Sequence, residues 1–305
     1  MLTGCDDQIS IIDTMALGKP GVVAAYLVRG KESALIDLGY ASSVETLFMA
    51  LARKKIGTEE INYLLPTHVH LDHSGACGAL AGKLVNASIR VHPKGERHLV
   101  DPSKLWRGAS ELFGDELVNR YGRPQPINAA RVRSIGDGEE INLGTGLTLR
   151  AIWTPGHASH HLSYELEGLR AVFTGDAVGI TYPAYPVLIP TTPPTSFNLE
   201  AALHSLQRIR QRSPKILLTP HYGVIDEALN SIDANIRSLK GWISSIKEMA
   251  TNGLLADSII TKLTDEISRD KAHANEFPDY LRQSVRVSVL GALRYLGYST
   301  QVGAR

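Results

Sequence analysis

Four side chains able to ligate a metal fall within six consecutive positions, His68, His70, Asp72 and His73, in the run His68-Val69-His70-Leu71-Asp72-His73. Imidazole and carboxylate are ligands that suit Zn, Fe or Mn. A set this dense is costly to bury without a cation, because each imidazole and carboxylate needs a partner. On a regular strand His68, His70 and Asp72 would share a face and His73 would point the other way. A turn after Leu71 would instead let the four serve two neighbouring centres. Three more residues of the same kind follow: His157 in Thr154-Pro155-Gly156-His157, Asp176 in Thr174-Gly175-Asp176, and His221 in Thr219-Pro220-His221. Each ends an apolar run, beside glycine or proline.

The elements that must position them can be read from periodicity. Residues 8 to 13, 22 to 28 and 33 to 38 have strand character, the last ending at Gly39. Residues 43 to 55 have helical spacing, with Val44, Leu47, Phe48 and Leu51 on one face. Residues 61 to 65 are expected to form a short strand buried on both faces, leading directly into the His-rich run. A small-residue helix over 75 to 84 and a strand over 88 to 91 come next. Residues 94 to 121 read as helical, with a break near Asp101-Pro102. Short strands with glycine turns fill 131 to 175, clearest over 147 to 153 and 171 to 174. The stretch 180 to 197, rich in Pro, Tyr and Thr, is expected to be irregular. A helix over 199 to 210 and a strand over 216 to 218 precede three helices, 227 to 250, 255 to 268 and 274 to 297. The recurring order of strand, polar motif and helix is an α/β arrangement. Its polar motifs lie past strand C-termini, where open α/β sheets place their ligands.

Composition narrows the function classes. The chain has 305 residues, with 32 Lys+Arg against 31 Asp+Glu for a net charge of +1. That balance argues against a dedicated nucleic-acid binder, which carries a strongly basic face. The hydrophobic fraction of 43% and the charged fraction of 21% are those of a globular protein. Two cysteines, Cys5 and Cys77, are too few for a disulfide framework. No run reaches the roughly 18 apolar residues a membrane helix needs. The opening Met1-Leu2-Thr3-Gly4-Cys5 looks superficially like a lipoprotein cleavage site, without the basic and apolar segments that precede one. The expectation is a cytoplasmic protein with no membrane and no nucleic-acid partner.

Taken together and in order, Thr67-His-x-His-x-Asp-His73, Thr154-Pro-Gly-His157, Thr174-Gly-Asp176 and Pro220-His221 resemble the metallo-β-lactamase-fold hydrolase superfamily, over residues 8 to 224. The resemblance implies an αββα sandwich with two divalent metal ions between the sheet edges. His68, His70 and His157 would hold the first, Asp72, His73 and His221 the second, and Asp176 would bridge them. It implies a hydrolase of ester-type bonds, acting through a metal-bridging hydroxide, with Asp72 shuttling a proton while ligating. The implied organisation is a hydrolase domain over 1–226 and a C-terminal helical extension over 227–305 that caps the site or forms a homodimer surface.

Within the superfamily, the 45-residue interval from Asp176 to His221 leaves no room for the large insert of nucleic-acid-processing members. The diiron flavoprotein branch has Glu at the position of His70, and true β-lactamases usually lack the Gly175-Asp176 pair. Glyoxalase II-like thioesterases, lactonases, phosphodiesterases and phosphotriesterases remain, for a small-molecule ester-type substrate. A mononuclear-iron dioxygenase of the same fold, or a regulatory binding protein that keeps the metal site, is the alternative. Tyr182, Tyr185 and Phe197 are candidates for the substrate pocket. His161 is a candidate support behind the ligands, while His160 reads as surface. Cys77 reads as a small buried hydrophobe. His92, His98, His204 and His273 read as structural or solvated.

Overall fold

The computed structural model describes residues 8–182, 185–269 and 278–301, leaving Cys5, His273 and residues 274–277 of the last expected helix outside the described residues. Its first sheet comprises β1 (Ile9–Asp13), β2 (Ala24–Arg29), β3 (Ser33–Ile36), β4 (Ile61–Leu65), β5 (Ser88–Val91) and β6 (Val132–Ser134), in that spatial order. The first three strands run antiparallel, and β3 to β6 run parallel. Helices α1 (Val44–Arg53), α2 (Leu71–Ser74), α3 (Cys77–Lys83), α4 (Glu96–Val100), α5 (Ser103–Phe113) and α6 (Asp115–Tyr121) occupy the connections. The second sheet contains β7 (Glu140–Gly144), β8 (Leu147–Trp153), β9 (Leu162–Leu166) and β10 (Ala171–Phe173). A hairpin of β11 (Ile180–Tyr182) and β12 (Tyr185–Ile189) and the helix α7 (Leu199–Gln211) separate these from β13 (Ile216–Thr219) and β14 (Gly223–Ile225). The order across this sheet is β14-β13-β10-β9-β8-β7. Helices α8 (Ala228–Thr251), α9 (Ala256–Arg269) and α10 (Asp279–Tyr295) complete the chain.

Period-two alternation builds the layers. In β2, Ala25 and Leu27 face the cluster shared with Leu47, Leu51 and Leu80 of α1 and α3, while Tyr26 and Val28 face the second sheet. In β10, Phe173 joins Tyr26, Leu65 and Leu149 between the sheets, and Val172 points outward to α7 and the C-terminal helices. The result is an αββα sandwich. Helices α8 to α10 share one hydrophobic cluster with Val172, Leu206 and Leu217, so the extension is packed into the sandwich's outer face. Among the described residues no helix is long and apolar enough to cross a membrane.

Three expectations need correction. Residues 180–197 are not wholly irregular, because Ile180 pairs with Ile189 and Tyr182 with Tyr185 in an antiparallel ribbon. Ile180, Tyr182 and Ile189 are buried against the C-terminal helices, and a two-stranded ribbon tolerates proline because each strand keeps an unpaired edge. The strand β4 is not sealed on both faces at its start: Asn62 and Tyr63 are half-buried, and Asn62 Oδ1 accepts the Ser33 N–H at 2.9 Å. The helical stretch before residue 121 breaks at Gly114 as well as at Asp101-Pro102, with Gly114 at φ 82° between α5 and α6.

Candidate metal centre

The His-rich run begins three residues beyond the end of β4, and Asp37 after β3 holds the residue that leads into it. Asp37, in a left-handed conformation at φ 49°, accepts the Thr67 N–H at 2.9 Å and the Thr67 hydroxyl at 2.8 Å. Having given its proton to Asp37, Thr67 Oγ1 can only accept from His68 Nδ1, 3.1 Å away. That places the His68 proton on Nδ1 and leaves Nε2 with its lone pair inward. The chain then turns into the single turn of α2, so Asp72 and His73 follow helical rather than extended geometry. This turn brings all four side chains to one site.

The other rings obey the same rule. His157 Nδ1 lies 3.3 Å from the Thr191 carbonyl, and His221 Nδ1 lies 3.3 Å from the Val22 carbonyl. A carbonyl only accepts, so both rings carry their hydrogen on Nδ1 and turn a lone pair inward. His73 Nδ1 faces Asp37 Oδ2 at 3.3 Å in a charge contact, with its Nε2 inward.

The inward atoms fall into two neighbouring groups that Asp176 joins. His68 Nε2 and His157 Nε2 each lie 2.9 Å from His70 Nδ1. The nitrogens of His73 and His221 lie 3.5 and 3.3 Å from Asp72 Oδ2. Asp176 presents Oδ2 to His157 Nε2 at 3.3 Å, and Oδ1 to His73 and His221 at 3.3 and 3.4 Å. Within each of the sets His68/His70/His157, His68/His73/Asp176 and Asp72/His73/His221, the ligand atoms lie within 4.8 Å of one another.

The donor set fits a pair of cations. At most one proton can sit on His70 Nδ1, yet two lone pairs point at it. Both ring nitrogens of His73 and Asp176 Oδ1 are buried and make no hydrogen bond. Acceptor facing acceptor is costly in a buried site unless positive charge lies between them. The electrostatics point the same way. Burial lowers the pKa of His68 and His157 well below the ordinary value, with neighbouring imidazoles adding to the effect. Burial also brings His70 down to about 4, although Asp72 opposes it. These rings stay neutral and ready to ligate. Burial would lower His73 and His221 too, but the carboxylates outweigh it and raise both. Burial would raise Asp72, yet His73 and His221 hold it well below the carboxylate range, whereas for Asp176 burial prevails and the pKa is raised. The His/Asp clusters are thus consistent with a dinuclear metal site.

His161 lies directly behind this centre. Its Nε2 accepts the Asp176 N–H at 3.0 Å, so the ring proton sits on Nδ1 and is donated to Thr154 Oγ1 at 2.8 Å. Gly175 adopts φ 50°, and a Cβ there would collide with His161 Nε2 and Thr67 Oγ1. Only glycine lets the Asp176 loop approach so closely.

Other expected positions divide. Tyr182 lines the cavity over the centre, with its ring 6.1 Å from that of His221. Tyr185 and Phe197 are not among the residues lining that cavity. Tyr185 packs against the C-terminal cluster, and Phe197 is buried there with its ring 5.3 Å from Tyr295. His160 is buried rather than on the surface, its ring 6.3 Å from those of His68 and His70. The turn that aims His157 and His161 carries it inward. His98 also lines the cavity, His92 stacks on Trp153, and His204 is exposed. Cys77 is fully buried beneath the first sheet. Asp37 was missed as a site residue, although it ends an apolar strand two residues before Gly39.

Residues 18–221 match the sequence model of the metallo-beta-lactamase superfamily. The chain belongs to this superfamily. Among its relatives, the metallo-beta-lactamase fold-containing protein ST1585 of Sulfurisphaera tokodaii is 28% identical over 68% of this chain and 75% of its own. The solved structure of ST1585 superposes with a TM-score of 0.70 at 23% identity, covering 94% of this chain and 98% of that one. The atrochrysone carboxyl ACP thioesterase of Aspergillus fumigatus is 26% identical over 87% of this chain and 76% of its own. Probable metallo-hydrolase MJ0888 of Methanocaldococcus jannaschii is 27% identical over 67% of this chain and 89% of its own. The metallo-beta-lactamase superfamily membership accounts for both the sandwich and the position of the His/Asp cluster at its sheet ends.

Proposed function

We propose that this metallo-beta-lactamase superfamily protein is a dinuclear-metal-dependent hydrolase of ester-type bonds in small molecules. The observation that carries the reading is the convergence of lone pairs from five histidines on two neighbouring points, with Asp176 presenting one oxygen to each. Two divalent cations bound there would supply water activated for attack near neutral pH and polarise the oxygen of the attacked bond.

The chain's own residues do the rest. His68, His70 and His157 hold one position, Asp72, His73 and His221 the other, and Asp176 spans them. Asp37 and the Thr191 and Val22 carbonyls keep the ring hydrogens pointing outward, which preserves the ligating tautomers. Asp72 is the only half-exposed ligand carboxylate and lines the cavity, so it is placed to take a proton from the attacking water and pass it to the leaving group. The names of two relatives, a metallo-hydrolase and a thioesterase, favour hydrolysis and put thioesters first among candidate substrates.

The test is elemental analysis of gently purified protein, followed by assays with chromogenic thioesters, lactones, phosphodiesters and phosphotriesters after loading with Zn, Mn or Fe. About two metal equivalents per chain and hydrolysis of at least one class are expected. No more than one tightly held metal, or no hydrolysis in any combination, would overturn the reading.

A further inference from the structure

The centre opens into a cavity of about 1670 Å³ flanked by α5 and α10. Helix α5 is amphipathic, with Leu105, Ala109 and Leu112 on one face at spacings of four and three. An apolar stripe of this kind is ordinarily sealed against a core. Here none of the residues of α5 is buried, and these three are half-buried and line the cavity. Leu105 and Ala109 extend a small cluster that contains Leu71, which lies between His70 and Asp72 in sequence, while Leu112 packs against the cluster of the C-terminal helices. Tyr40 and Tyr121, stacked at 4.2 Å and 9°, complete the link from α5 to the metal ligands.

Across the cavity, α10 contributes Val287 and Leu290, and Arg286 ties the two walls together by donating to the Leu112 carbonyl at 2.8 Å. Gly108, in the middle of α5, also lines the cavity, and a Cβ added there would meet nothing within 4 Å. A mid-helix glycine costs stability relative to alanine. At this position it leaves room in the slot.

We infer that the slot between α5 and α10 binds an apolar alkyl or aryl group attached to the scissile bond, so that the substrates are esters or thioesters of medium-length apolar groups. This rests on the hydrolase reading above for the identity of the bond, while the slot itself is defined by Leu71, Leu105, Ala109, Leu112 and Leu290. The apolar surface begins one residue from Asp72, so a group lying in it is held beside the reacting centre rather than at a remote site. Burial of each added methylene then contributes to binding until the slot is filled.

Primary alkanols from 1-butanol to 1-decanol are suitable probes, since they carry the apolar group and no bond to hydrolyse. Calorimetric titration of the metal-loaded protein should show affinity rising two- to four-fold per added methylene up to about 1-octanol. Gly108→Leu adds a side chain into open space, and Ala109→Trp fills the same slot from the next residue. Each should weaken 1-octanol binding at least ten-fold, leave 1-butanol within two-fold, and leave the metal content unchanged. A flat chain-length series in the wild-type protein overturns the inference even if Ala109→Trp fails to fold. Wild-type affinity for 1-octanol in Gly108→Leu overturns it as well. Failure of the ester panel would instead overturn the hydrolase reading and leave the alkanol result standing.

Discussion

Asp37 Oδ2 lies 3.3 Å from His73 Nδ1, and the opposite nitrogen of the same ring lies 3.3 Å from Asp176 Oδ1. A carboxylate behind a ligand imidazole fixes its tautomer and makes the inward nitrogen more basic. Asp37 also satisfies two buried donors of Thr67. Asp37→Ala should therefore lower metal affinity by about 10- to 100-fold and cost about 2–4 kcal/mol of stability from the orphaned donors. Asp37→Asn, which keeps an acceptor for Thr67, should lose comparable metal affinity with less stability. Competition titrations with a metal indicator and denaturant unfolding separate the two effects, and an unchanged metal affinity in both variants would remove Asp37 from this role.

The ligand residues and the nearby thiol should behave differently. His68→Ala, His70→Ala, Asp72→Ala and His221→Ala should each reduce kcat/KM by more than about 100-fold, since no other side chain here supplies the nucleophile. Asp176→Ala should release at least one metal equivalent. Burial pushes the Cys77 thiol up to about 12 although Arg131 opposes it, so it stays a protonated, unreactive filler. Cys77→Ala should cost about 1 kcal/mol of stability and keep activity within a few-fold. Steady-state kinetics beside elemental analysis will show whether Asp72 belongs with the ligands.

His160 gives a pH signature. Burial first, then the fields of His70 and His98, push it down to about 3, and its Nδ1 has no hydrogen-bond partner. In the unfolded chain it takes up a proton near pH 6.5. Between pH 6.5 and about 3 the unfolded state thus binds more protons, so this group's contribution to stability falls as the pH is lowered through that window. The slope is at most about 1.4 kcal/mol per pH unit. The stability difference between wild type and His160→Phe should shift in favour of the variant as pH drops from 6.5. A pH-independent difference in denaturation midpoint would show that the ring is solvated.

The C-terminal helices form a wall of the site rather than a detachable cap. Thr192 Oγ1 donates to the Ser288 carbonyl at 2.5 Å, and Ser288 Oγ donates to the Pro190 carbonyl at 2.6 Å. Gly291 lets α10 press against the Thr192 backbone, where a Cβ would collide. Truncation after Leu229 would expose Val172, Leu206 and Leu217 and should yield aggregated protein. Tyr280→Ala is the cleaner test of the wall. The Tyr280 ring packs 4.8 Å from that of Tyr182, which flanks His221. The variant should keep its metals and raise the relative rate on bulky esters several-fold. Competition between a bulky and a small ester reads this directly, and an unchanged ratio would exclude α10 from selectivity.

The ligands were legible because their signal is local. His68, His70, Asp72 and His73 crowd into one short run, and His157, Asp176 and His221 each end an apolar strand beside glycine or proline. The strands themselves follow from alternation, as in β2 and β10, because each face has only one neighbour to satisfy. Asp37 also ends an apolar strand and was passed over, because a single Asp before Leu38-Gly39 looks like any strand end until its partner is known.

What only the tertiary structure decided depends on atoms far apart in the chain. The direction of each ring proton is set by the Val22 and Thr191 carbonyls and by Asp37, none of which adjoins its histidine in sequence. The inward turn of His160, the burial of Phe197 against Tyr295 and the pairing of Ile180 with Ile189 all result from packing against elements distant in the chain. The amphipathic stripe of α5 was visible as a pattern, but a pattern states only that one face avoids water. Whether it meets a core or borders a substrate cavity depends on where α10 lies, nearly two hundred residues further along the chain. Hydrophobic periodicity fixes which side of an element is buried, and long-range packing fixes what buries it.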